Sequence, residues 1–360
     1  MSYRVHYQIY IKTNINLNRT VKNLFLIIST IFIAANIFGQ SETNDISRDK
    51  AFYQVTNNWF SAWELVSKEI YKIDKISAVE FVFFDDKFVY STSSITIKTG
   101  AQVKGCNLMN LTFKWKKAIH NDTIVLPDNS KVPIGLMSFA GEISHKKGKS
   151  FFVMPLLSYW QASGTESKEL GLENLITGVF VHEFSHSQQM QNFGKKITEF
   201  EKQNHFGVDF NDDIVQNLFE KEASYLKLYS EEVNLFYQST KNQIINKDLV
   251  KQGIKLLNQR HTQYFEGKYM NLQQIDNLFL TMEGLGQYSM HLWLTHPKGG
   301  NLGTNIAIDG VRRNKYWWSQ DEGFALFLIL EKLSNPENWA KNMFGCKSEN
   351  IIDLIIKKLK

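Results

Sequence analysis

Apolar residues recur along the chain with two different periods, and the change from one to the other divides it. Phe52, Val55, Trp59, Trp63, Val66 and Ile70 follow at steps of three and four, the spacing of one face of an α-helix of about five turns. In AVEFVFFDDKFVYSTSSITI (residues 78–97), aromatic and β-branched residues flank Asp85-Asp86-Lys87, which predicts strand, turn and strand. Short β-type stretches continue through NLTFKWKKAIH (110–120), TIVLPD (123–128) and KSFFVMPLLSYW (149–160). From about Glu169 helical periods take over to the C-terminus, with loops expected at 193–207 and 296–305. No regular internal repeat is visible. The pattern predicts an α+β protein: a mixed α/β lobe with a meandering sheet over 40–165, then a mainly helical lobe over 166–360.

The first 39 residues read differently. Arg4, Lys12, Arg19 and Lys22 precede the apolar run LFLIISTIFIAA (24–35), and no acidic residue occurs before Glu42. Roughly 20 apolar residues are needed to span a bilayer and 7–15 suit a signal-peptide core, so residues 1–39 are expected to be a signal peptide cut before Gln40. The protein is then exported, to the periplasm or beyond, with no stable membrane span after cleavage; an uncleaved anchor is the alternative. The whole chain has 41 basic and 36 acidic residues. Without the targeting segment there remain 37 basic and 36 acidic, which gives no electrostatic reason to expect nucleic acid. Hydrophobic residues make up 43%, enough for a sizeable core. The two cysteines, Cys106 and Cys346, form no C-x-x-C pattern; an exported chain can oxidise them to one disulfide if they lie close together.

One stretch departs from ordinary core. GVFVHEFSHSQQM begins at Gly178 and sets His182, Glu183 and His186 in an otherwise uncharged run. Leu175, Val179, His182, His186 and Phe193 trace one stripe of a helix expected to end at Gly194. One turn separates the two histidines, about 6 Å along the axis, so both imidazoles reach a single ion from one face. Glu183, rotated about 100°, flanks that ion and can take a proton from water. This is the mechanical content of H-E-x-x-H, two Zn²⁺ ligands and a general base in one turn. The competing reading is a pair of buried histidines serving as core.

At these residues VFVHEFSHSQQ resembles the metal-binding helix of zincin metallopeptidases. Gln189 and Asn192 stand where the metzincin branch has glycine and histidine, which excludes that branch. Gln188 also departs from the broader pattern, which prefers an apolar residue there. The remaining large branch, the gluzincins, takes its third ligand from a glutamate on a later helix. Glu222 in DDIVQNLFEKEASYLKL (212–228) is the first choice: Ile214, Leu218, Glu222, Tyr225 and Tyr229 share one helical face, and the local E-x-E-A resembles third-ligand strings, although Leu226 stands where an aspartate often follows. Glu283, in Glu283-Gly284-Leu285-Gly286, is the alternative, with Gly284 allowing close approach to the metal helix. Glu322, before Gly323, is a third. Tyr288, or His291 one turn on, is a candidate oxyanion stabiliser. Residues 149–160, with Pro155, are a candidate edge strand on which peptide could add by backbone pairing.

The expectation is an exported Zn²⁺-dependent hydrolase, a gluzincin-type metallopeptidase acting on peptide or protein substrates. The alternatives are a zincin-like binding protein without turnover, and a structural protein in which HEFSH is packing.

Overall fold

The computed structural model describes residues 34–143, 146, 148–345 and 347–360; most of the expected targeting segment (1–39) and Cys346 lie outside them. Helix α1 (Ala34–Leu65) runs into a π turn at Val66–Ile70. Eight strands follow: β1 (Val79–Phe84), β2 (Phe88–Ser91), β3 (Ala101–Val103), β4 (Trp115–Ile119), β5 (Thr123–Val125), β6 (Lys131–Pro133), β7 (Phe139–Glu142) and β8 (Ser150–Pro155). The remainder is helical: α2 (Leu157–Ala162), α3 (Leu172–Gln189), α4 (Lys195–Gln203), α5 (Ile214–Phe219), α6 (Ala223–Thr240), α7 (Lys247–Tyr264), α8 (Leu272–Thr295), α9 (Thr304–Arg312), α10 (Trp318–Leu333), α11 (Ala340–Met343) and α12 (Ile351–Leu359). The fold is α+β, as the periods predict. Among the described residues no helix is long and apolar enough to cross a membrane.

Six strands form one sheet in the order β3-β4-β2-β1-β8-β7, and β5 pairs with β6 alone. The expected turn is present: β1 and β2 pair antiparallel with Phe84 opposite Val89, and Asp85 Oδ1 accepts from the backbone N–H groups of Lys87 (2.8 Å) and Phe88 (2.7 Å). Alternation along β1 sends Phe81 and Phe83 to one face and Val82 and Phe84 to the other. The first face meets α1 and α3; the second meets the β5–β6 hairpin in a smaller cluster with Ile124, Leu126 and Val132. The main core is continuous from Phe52 to Ile355, so the change of texture near residue 165 marks a change of element type within one core.

Three sequence expectations need correction. Residues 149–160 do not form an edge: β8 lies between β1, its parallel neighbour, and β7, its antiparallel one. Pro155 is tolerated because it is the last residue of the strand. The sheet's edge strands are β3 and β7. The expected loop at 193–207 contains α4, whose Ile197 and Phe200 are buried. The expected helix over 212–228 is broken in two, with Glu220–Glu222 between α5 and α6 and Glu222 in an extended N-cap conformation (φ −87°, ψ 103°).

Helix α8 lies between α3 and α10, and both crossings depend on small residues. A Cβ on Gly286 would stand 2.8 Å from the His182 ring. A Cβ on Gly284 would stand 2.5–2.7 Å from the backbone of Gly323 in α10. Gly284 therefore serves the α8–α10 contact, and the close approach to α3 belongs to Gly286. Because backbone cannot swing aside as a side chain can, Gly284→Ala is expected to destabilise by about 1–3 kcal/mol. A thermal melt reads this as a lower Tm, with Gly135→Ala, where a Cβ meets nothing within 4 Å, as the control. Equal melting of the two variants is the contrary result.

Candidate metal centre

All residues of α3 from Ile176 to Gln189 are buried, and its two sides are used differently. Phe180 and Phe184 face the sheet, where Trp59 stacks on Phe180 (centroids 5.4 Å) and Phe81 on Phe184 (5.7 Å). His182 and His186 stand two residues on from each phenylalanine, a rotation of about 200°, and so face α8. The sheet and α1 clamp one side of the helix and present the histidines to the other. The α-helix ends at Gln189, and the chain continues through a π turn at Met190–Gly194.

Facing the histidines on α8 is Glu283. His182 Nε2 and His186 Nε2 are 3.0 Å apart. Glu283 Oε2 lies 3.4 Å from His182 Nε2, and Oε1 lies 3.4 Å from His186 Nε2. All three side chains are at most 1% exposed. Bonds of about 2.0–2.1 Å to a tetrahedral Zn²⁺ separate its ligand atoms by about 3.3–3.4 Å, so the spacing and chemistry of this donor set fit a divalent cation. His182, Glu183 and His186 also present atoms all within 4.8 Å of one another. Glu183 Oε2 is buried with no hydrogen-bond partner among the described residues.

Burial and charge set the protonation of the group. Burial pulls His182 down to about 4. Burial also pulls on His186, but the charge and hydrogen bond of Glu283 outweigh it and hold His186 at about 9. Burial pushes Glu283 up, yet His186 and His182 together bring it down to about 2. His186 is therefore the proton donor in the histidine pair, His182 the acceptor, and Glu283 the counter-charge. Burial lifts Glu183 to about 8, with His186 and Arg313 opposing and Glu283 adding to the rise. Glu283 acts too on Asp213, which burial and that charge raise to about 7, and on Asp212, which burial, Asp213 and Glu283 raise well above the usual carboxylate range.

The other sequence candidates lie elsewhere. Glu222 is exposed at the start of α6 and is not gathered with the histidines; its inward phase assumed one continuous helix from Ile214, and the break at 220–222 removes it. Tyr225 and Tyr229 keep their buried positions. Glu322 is buried but belongs to a different group: Arg260 Nη2 donates to it at 2.8 and 2.9 Å, and Arg260 also donates to Glu232 through Nε (2.9 Å) and Nη2 (3.0 Å). Tyr288 is turned toward α10, stacked on Phe327 at 5.7 Å, and burial holds its hydroxyl protonated. His291 packs on Phe324 of α10 at 5.3 Å, and burial lowers it to about 4.

Two residues that looked like departures have evident work. Gln189 Oε1 lies 3.2 Å from His186 Nδ1, which fixes the ring and directs Nε2 toward Glu283. Gln188 Oε1 accepts from the backbone N–H of Ser77 at 2.8 Å, tying α3 to the approach to β1. The i+3 spacing of Gln189 from His186 was the available signal for the first; the partner of Gln188 is 111 residues away and left no local signal. Comparison with family models, with curated proteins and with solved structures gives no match to this chain.

Proposed function

We propose that the protein is a zinc-dependent hydrolase of the gluzincin type, cleaving peptide bonds, with His182, His186 and Glu283 as the metal ligands and Glu183 as the general base. The observation that carries this is the convergence of Glu283 with both Nε2 atoms, beside a buried carboxylate whose Oε2 is uncommitted. When bound, the ion supplies Lewis acidity, bringing the pKa of a water molecule toward neutrality and polarising a carbonyl. Glu183 accepts the proton of that water at Oε2 and passes it to the leaving nitrogen. A nearby divalent charge lowers a carboxyl pKa, which would bring Glu183 below about 8 and make it an available base at neutral pH. Gln189 keeps the His186 ring in the orientation that ligation needs. Substrate would add to β7, the edge strand of the sheet that packs beside α3, by main-chain pairing. We further propose export, with residues 1–39 as the signal.

Elemental analysis of the purified protein should give about one zinc per chain. Glu283→Ala should reduce it most, by removing a first ligand, and Glu222→Ala should leave it as it is. Equal loss in both variants would remove Glu283 from the ligand set.

Glu183→Gln should keep the zinc and cut peptide hydrolysis by about 10²–10⁴-fold, the usual contribution of a general base. Turnover that survives this change refutes the assigned mechanism.

The proton on His186 gives a pH dependence with a definite sign. His186 is protonated below about 9, and a ligand must shed its proton to bind metal. Apparent zinc affinity, measured against a competing chelator between pH 6 and 8, should therefore fall as the pH drops, by at least about tenfold for each unit, with the proton of Glu183, held at about 8, adding to the slope. A flat profile would mean that no proton is displaced.

A further inference from the structure

His291 takes no part in the metal centre, and it borders a cavity of its own. This cavity, of about 760 Å³, lies between α6, α8, α9 and α10, within the size range of small-molecule sites. It shares no lining residue with the metal centre. His291 is 5% exposed, and neither of its ring nitrogens has a hydrogen-bond partner among the described residues. Nδ1 is fully buried, so the Nε2 side of the ring is the one that meets the cavity. Burial keeps the imidazole neutral, with one hydrogen to place. Carrying it at Nε2 spares a buried N–H without an acceptor. His291 therefore offers the cavity one N–H donor.

Arg312 offers another. Asp321 accepts from its Nε (2.7 Å) and its Nη2 (3.1 Å). Its guanidinium lies 3.6 Å from the centroid of Tyr237, which also lines the cavity. These contacts fix the plane of the group and leave Nη1 without a partner among the described residues; the side chain is 15% exposed. A guanidinium held in this way is a preorganised donor for a carboxylate.

The remaining charges decide the kind of ligand. Asp321 balances Arg312. Lys241 and Lys332 then stand against Asp309 and Glu331, so the lining is neutral overall and carries both signs. Two carboxylates repel a polyanion and two lysines repel a cation, whereas a molecule with one charge of each sign satisfies both. Glu331 is half-buried and forms no ion pair among the described residues. Burial raises it, with Tyr288 and Lys332 opposing. Asp309 is exposed, so water and salt screen it more. Ile308, Leu328 and the Tyr237 ring add apolar wall.

We propose that this cavity binds a small zwitterion with an apolar side chain, a free amino acid or a short peptide, its carboxylate on Arg312 Nη1 and His291 Nε2 and its ammonium on Glu331. The site is separate from the metal centre and does not depend on the hydrolase reading.

Calorimetry on the purified Glu183→Gln protein, in which peptide probes stay intact should the metal centre cleave them, measures the binding of leucine, leucyl-leucine and leucyl-leucyl-leucine. Each is also measured with its amine acetylated or its carboxylate amidated. The tightest unblocked probe identifies the source, free amino acid or peptide. Either block should weaken that probe by at least about tenfold, as expected for one lost charge-assisted bond. Glu331→Gln should abolish the penalty of acetylation and leave the affinity of the acetylated probe as it is. His291→Phe, which keeps a ring against Phe324, should weaken every free-acid probe by about tenfold. Melting temperatures are checked for each variant, and the blocked probes test both charges without altering the cavity. Binding should persist in EDTA, since no metal takes part. No binding by any unblocked probe, equal binding of either blocked form, or preferences that survive both substitutions overturn the proposal. Binding that is lost in EDTA while the protein stays folded also overturns it, by moving the probes to the metal centre.

Discussion

A carboxylate removed from water must find positive charge within a few Å or give up its own. Glu283 lies at the middle of α8 with no exposure, and His182 and His186 stand 3.4 Å from its two oxygens. Much of the architecture serves this one juxtaposition. The sheet and α1 hold Phe180 and Phe184, which fixes the rotation of α3 and aims the histidines at α8. Gly286 lets α8 come close enough for the carboxylate to reach them, because any side chain there would enter the His182 ring. Gln189 holds the second imidazole from behind.

The same logic recurs one helix away. Arg260, on α7, is 1% exposed and joins Glu232 of α6, Tyr225 of α6 and Glu322 of α10. Removing one partner of such a group leaves an uncompensated buried charge, a loss of about 3–5 kcal/mol. The helical half of the molecule is thus pinned at two buried polar points, and α8 and α10 each carry a carboxylate to one of them.

The periods of the chain made the α+β class, the first helix and the β1–β2 turn legible, because local spacing alone decides them. His182, Glu183 and His186 were legible for the same reason: one helical turn fixes their mutual geometry. Which carboxylate faces both histidines was not, since that depends on how three helices cross. Glu222 was favoured by a face count that crossed a helix break, and no proline or glycine in KEAS (221–224) announces that break. The Glu-Gly pairs at 283–284 and 322–323 both resemble ligand strings. The structure gives the glycines another reason: Gly284 and Gly323 touch each other, so the two strings are the two sides of one helix crossing. That contact says nothing about which glutamate meets the histidines. Gln188 stayed illegible because its backbone partner, Ser77, is 111 residues away.

The two glutamates that flank this crossing differ only in the partners they meet, and the difference decides what each point can do. Glu322 faces a guanidinium, which keeps its proton at any ordinary pH and cannot act as a ligand. Burial and the neighbouring Glu232 raise Glu322 despite that partner, so the group balances its charge internally and stays closed. Glu283 faces imidazoles, which hold a proton or release it and then offer a lone pair. His186 at about 9 and Glu283 at about 2 describe a site whose positive charge is an exchangeable proton. On the reading proposed above, His182, His186 and Glu283 would hold a divalent cation in place of that proton, and their separations of 3.0–3.4 Å are close to those such an ion needs. Such a replacement would also change Glu183, which burial holds at about 8, because two positive charges nearby favour its ionised form more strongly than one. On this account one exchange at the histidine pair would both load the site and arm its base, and the arginine-centred point on the other side of the crossing has no equivalent step.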